Sequence, residues 1–101
     1  LIYGYLMRIS LEEANFLKKE ISALAPDALV YLFGSRVDDG QKGGDIDIMV
    51  LSGRRLNWKD KSKLRWRYFG KYGEQRMDIV TFSFTDENPF KRLIMEKGMQ
   101  L

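Results

Sequence analysis

Apolar positions recur along this chain with two different periods, and the alternation between them outlines the fold. After Ser10, the residues Ala14, Leu17, Ile21 and Leu24 repeat at helical spacing until Pro26, and Ser10 with Glu13 forms the capping box that opens a helix. A β-prone apolar run, Ala28-Leu29-Val30-Tyr31-Leu32-Phe33, follows and stops abruptly at Gly34-Ser35. A polar loop leads to a second strand over 46–51, in which Ile46, Ile48 and Val50 share one face. Gly53-Arg54-Arg55 breaks that pattern. A helix is then expected from about Trp58 to Phe69, ended by Gly70 and Gly73, with Trp66 and Phe69 as its buried stripe. A strand over 76–82 comes next. Asn88-Pro89 opens a last helix, with Phe90, Leu93 and Ile94 toward the core and Gly98 at its end. Three strands interleaved with helices predict an α/β (α+β) domain, a small mixed β-sheet flanked by helices.

Acids interrupt two of these strands. Asp45 and Asp47 stand two apart and share the face opposite Ile46 and Ile48, and Asp78 sits inside Arg76-Met77-Asp78-Ile79-Val80 with Val80 and Phe82 on its own face. Two carboxylates within about 7 Å, the rise of two strand residues, repel unless a cation lies beside them. Magnesium suits such a site, because it takes oxygen ligands and is commonly shared between carboxylates and substrate phosphates. If the two strands pair, Asp78 supplies a third oxygen. The Gly34-Ser35 turn adds a backbone that can approach a ligand closely and a hydroxyl that can hydrogen-bond phosphate. Each feature alone has an ordinary explanation: Gly-Ser is common turn chemistry, and an Asp at a strand start is usually solvated. It is their combination that points to a nucleotide and a metal.

Gly-Ser, a short loop, Asp-x-Asp and a third strand Asp resemble the signature of the nucleotidyltransferase superfamily that includes DNA polymerase β. More narrowly, Leu32-Phe33-Gly34-Ser35-Arg36 followed by Gly43-Gly44-Asp45-Ile46-Asp47 is similar to the minimal nucleotidyltransferases (MNT), antitoxins encoded beside a HEPN-domain toxin. The resemblance spans residues 32–80, and the closing stretch from Pro89-Phe90 through Glu96-Lys97-Gly98 to Leu101 looks like the end of such a domain. It implies the polymerase β-like fold and transfer of a nucleoside monophosphate, AMP from ATP in the first instance, from a nucleoside triphosphate to an acceptor hydroxyl. The acceptor implied is a tyrosine of a HEPN-type toxin. Asp45, Asp47 and Asp78 would hold two Mg2+ ions, with Asp78 also able to accept the hydroxyl proton; Gly34, Ser35 and Arg36 would bind the phosphates. One departure lies in the loop, where Val37-Asp38-Asp39-Gly40-Gln41-Lys42 replaces the second Arg that many relatives carry.

Composition narrows the chemistry. With 101 residues, 45% of them hydrophobic, the chain reads as one domain over residues 7–101, and residues 1–6 before Met7 read as an upstream extension. It contains neither Cys nor His, so thiolate zinc sites, disulfides and imidazole bases are excluded and carboxylates remain. No apolar run of about 18 residues and no secretory signal pattern is present, which predicts a cytoplasmic protein without membrane association. The sequence names no oligomeric state.

The stretch from Arg54-Arg55 to Lys71 adds Lys59, Lys61, Lys63, Arg65 and Arg67 interleaved with Trp58, Trp66, Tyr68 and Phe69. Such a mixture can bind nucleic acid. A net charge of only +3 favours the plainer reading, a solvated helix face. Two classes of function therefore stand: a transferase acting on a partner protein, or a module that neutralises its partner by association with an idle metal site. A transferase acting on RNA ends or on a small molecule such as an aminoglycoside is the third option.

Overall fold

A computed structural model describes residues 9–34 and 46–101. In chain order these form α1 (Leu11–Leu24), β1 (Leu29–Phe33), β2 (Ile46–Ser52), α2 (Trp58–Tyr72), β3 (Met77–Ser83), α3 (Pro89–Lys97) and β4 (Met99–Gln100). Residues 1–6, Ser35, Arg36, Gly43, Gly44 and Asp45 lie outside the described residues.

The capping box forms as the sequence predicts: the Glu13 amide donates to Ser10 Oγ at 3.1 Å, and the Ser10 amide donates to Glu13 Oε1 at 2.7 Å. Ala14, Leu17 and Ile21 then face the sheet, and the last two are wholly buried. Burying a Leu or Ile side chain stabilises by about 1.5–3 kcal/mol, so this stripe, more than helix propensity, holds α1 in place.

The sheet runs in the order β3-β2-β1-β4, with β2 parallel to β3 and antiparallel to β1, and β4 antiparallel to β1. The fourth strand, two residues long, escaped the sequence pattern because so short an edge strand leaves no period to read. Val30, Leu32, Ile46, Ile48, Val50, Met77 and Ile79 form one face, buried under α1 and α2. Tyr31, Met49, Leu51 and Ile94 form a smaller cluster on the other face, under α3. β2 is central and covered on both sides, which is why it reads as a nearly continuous apolar run.

Three expectations about the helices need correction. α2 continues through Gly70 to Tyr72, and Gly73, at φ +92°, caps it by donating its amide to Phe69 O at 2.9 Å. The extra turn is held by Tyr72, whose ring meets Phe16 edge to face at 5.5 Å, offsetting the cost of about 1 kcal/mol for a helical glycine. Second, of the two residues expected in the buried stripe, Phe69 is partly buried against the core but Trp66 is 76% exposed, and the fully buried positions are Leu64 and Tyr68. Tyr68 can be buried because its hydroxyl donates to Glu13 Oε2 at 2.7 Å, whereas Trp66, two residues from Leu64, lies on the opposite side of the helix. Third, Phe90 and Leu93 are 43% and 50% exposed, and of the three apolar residues assigned inward only Ile94 is buried. The place expected for apolar side chains is taken by Lys91, whose ammonium donates to Ser83 O, Phe84 O and Asp86 O at 3.1, 2.8 and 2.9 Å. Asp86 closes the same loop; the Ser83 amide that it accepts at 2.8 Å and the nearby Arg55 guanidinium hold its carboxyl below the usual range.

Gly98 joins α3 to β4 where backbone meets backbone. A Cβ there would stand 2.6 Å from Ile94 O and 2.8 Å from Leu32 O, neither of which can swing aside. Gly98→Ala is expected to lower unfolding stability by about 1–3 kcal/mol, read as a fall in thermal midpoint. An unchanged midpoint would show that α3 is not seated this tightly on β1.

Candidate active site

β2 and β3 run parallel, and in their register Asp47 lies opposite Asp78. Neighbouring strands are about 4.8 Å apart and residues in register point to the same side, so the two carboxylates stand next to each other. They share the face that carries Met49, Val80 and α3. The Ile46 amide, one residue before Asp47, donates to Arg76 O, two residues before Asp78, at 2.9 Å and fixes this end of the pair. From the outer side, Arg65 on α2 donates through Nε to Met77 O at 2.9 Å. The strand starts that carry both acids are therefore anchored by backbone acceptors.

Asp47 is half-buried, an unusual setting for a carboxylate within a central strand. Asp78, on the edge strand, is partly buried, with its side chain 51% exposed, and Arg76 Nε lies 3.7 Å from its Oδ2. An exposed pair of this kind contributes little to stability.

On the other flank of Asp47 is β1, where Phe33 lies opposite it in the antiparallel register. Gly34 follows at φ +75°. A Cβ on Gly34 would stand 2.6 Å from Asp47 Oδ2, so the carboxylate occupies the space that a side chain would need. The turn at Gly34 and Asp47, thirteen positions apart in sequence, thus meet at one end of the sheet. Of the sequence-predicted site residues, Gly34, Asp47 and Asp78 converge; Ser35, Arg36 and Asp45 lie outside the described residues. Among the described residues there is no cluster of three or more acids that could hold a metal ion.

The sequence profile of the nucleotidyltransferase domain matches residues 15–100, a stretch that includes both strands bearing acids and the Gly34 turn. The chain belongs to the nucleotidyltransferase domain family. Its nucleotidyltransferase domain is 29% identical over 87 residues to a Haemophilus influenzae protein named probable protein adenylyltransferase MntA, covering 85% of this chain and 75% of that protein. In structure it is similar to a chain of an MntA–HepT toxin–antitoxin complex, with a TM-score of 0.64 at 22% identity over 90% of this chain and 70% of that one. It is also similar to a chain of a tri-AMPylated Shewanella oneidensis HEPN toxin in complex with MNT antitoxin, with a TM-score of 0.63 at 23% identity, covering 88% of this chain and 68% of the other. These likenesses establish the α+β nucleotidyltransferase fold.

Elsewhere in the domain, the basic stretch on α2 turns in part to internal partners. Arg67 pairs with Glu20, Lys71 lies 3.6 Å from Glu12 and 5.1 Å from the Phe16 ring centroid, and Arg65 is bound to β3. These three of the six basic residues on α2 tie it to α1 and β3. Among the described residues no helix is long and apolar enough to cross a membrane.

Proposed function

We propose that this nucleotidyltransferase moves AMP from ATP onto a tyrosine hydroxyl of a HEPN-domain toxin and so acts as the antitoxin of the pair. The observation that carries the reading is the in-register pairing of Asp47 with Asp78 beside the side-chain-free backbone of Gly34. It is supported by a relative named for protein adenylyltransfer and by a structural neighbour whose toxin is tri-AMPylated.

Two like-charged carboxylates on one face fit a divalent cation, and Asp45, by its place in the motif, joins Asp47 and Asp78 as a ligand. When bound, two Mg2+ ions would supply charge for the leaving pyrophosphate and acidify the attacking hydroxyl. The chain's own residues do the rest. Gly34 admits the phosphates close to the backbone, while Ser35 and Arg36 hydrogen-bond them. Asp78, on the edge strand, faces the incoming acceptor and takes its proton. The tyrosine oxygen forms a bond to the α-phosphorus, the bond from that phosphorus to the β-phosphate oxygen breaks, and pyrophosphate leaves with its electrons.

Incubation of the chain with α-phosphate-labelled ATP, Mg2+ and a HEPN partner is expected to label the partner on tyrosine. Absence of label with every nucleoside triphosphate would refute the transfer.

A further inference from the structure

A groove of about 510 Å3 opens beside Gly34, lined by Phe33, Gly34, Phe90, Leu93, Ile94 and Lys97. Its size falls within the range of small-molecule sites, about 300–1,000 Å3. Phe90 and Leu93 are the residues that the apolar pattern assigned to the core and that the structure leaves 43% and 50% exposed. Phe33 and Phe90 meet edge to face at 5.6 Å, which leaves ring surface uncovered by the partner ring. Exposed apolar side chains of this size concentrated at one place mark a binding surface.

Position decides what binds there. α3 lies against β1 and β4, so the groove is on the β1 side of Asp47, and Asp78 is on the β3 side. On the proposed transfer, on which this inference rests, the acceptor enters at Asp78 and the phosphates lie over Asp47 and Gly34. The donor's nucleoside must then extend away from Asp78. We infer that the groove between the end of β1 and α3 seats the base and ribose of the donor nucleotide, with Phe90 and Leu93 as the packing surface and Lys97 at the charged rim. Among the described residues that line it, only Lys97 carries a side-chain hydrogen-bonding group, so these residues select by stacking area more than by base edge.

Calorimetric titration of the full chain with ATP and with tripolyphosphate, both with Mg2+, tests this. Phe90→Ala and Leu93→Asp are each expected to weaken ATP about tenfold, as loss of a stacking surface does, and to leave tripolyphosphate unchanged. Both positions are partly exposed, so the thermal midpoint should hold; Leu93→Asp retains the Phe33–Phe90 contact should Phe90→Ala disturb α3. Unchanged ATP affinity in both variants would overturn the assignment, as would equal weakening of ATP and tripolyphosphate. An acceptor KM raised at constant ATP affinity would give the groove to the acceptor instead. If the variants lose ATP as expected but the wild type labels no partner, the subsite stands and the transfer reading falls.

Discussion

Asp47→Asn is expected to reduce the rate of AMP transfer on the order of 10^3-fold, because several kcal/mol of charge stabilisation at about 1.4 kcal/mol per decade corresponds to that loss. Asn keeps the volume and one oxygen of the side chain but not the charge. The backbone of β2 has no reason to move, since Ile46 and Ile48 on the opposite face remain wholly buried. A second readout separates metal binding from general damage. A ligand that binds only the native state raises its stability, by about 2.7 kcal/mol at a hundredfold excess over its Kd. Wild-type chain should therefore gain thermal midpoint with added Mg2+, and Asp47→Asn should gain much less. Transfer within tenfold of wild type, or an equal magnesium response, would remove Asp47 from the metal site. The same variant tests the non-catalytic reading: neutralisation of the toxin that survives Asp47→Asn would show that association suffices.

The elements that were legible in the sequence are those with complete local signals. α1 carries its own capping box and stripe, β1 and β2 are apolar runs long enough to read, and Asp47 stood out because a carboxylate in such a run has no packing purpose. What escaped depended on tertiary contacts. The burial of Tyr68 in place of Trp66 requires Glu13, fifty-five residues earlier, to accept its hydroxyl. The outward placement of Phe90 and Leu93 follows from Lys91 turning inward to three carbonyls, a role no apolar pattern assigns to lysine. In the site, the kinship of Asp47 and Asp78 was visible as chemistry, but their pairing rests on a parallel register made across α2. The contact between Gly34 and Asp47 had no sequence signal beyond the glycine itself.

That contact makes Gly34→Ala the next most damaging substitution, with an expected loss of about 10^2-fold in kcat, the effect of a misplacement of about 1 Å at a reacting centre. Two effects act together. At φ +75° an L-residue costs roughly 1–2 kcal/mol, which should lower the thermal midpoint modestly. The added Cβ would also stand 2.6 Å from Asp47 Oδ2 and 3.4 Å from its Cγ. Gly98 offers the contrast: there the obstructing atoms are main-chain carbonyls and the cost falls on stability, whereas the carboxylate beside Gly34 can rotate away, so the cost falls on rate. A kcat within threefold of wild type would mean that the position of this carboxylate is not critical. The double variant Gly34→Ala/Asp47→Asn identifies the route. If Gly34 acts by leaving room for Asp47, the double variant is no slower than Asp47→Asn alone, because the group being displaced has already lost its charge. A further hundredfold loss in the double variant would instead place the effect of Gly34 on the phosphates directly, through the approach of its own backbone.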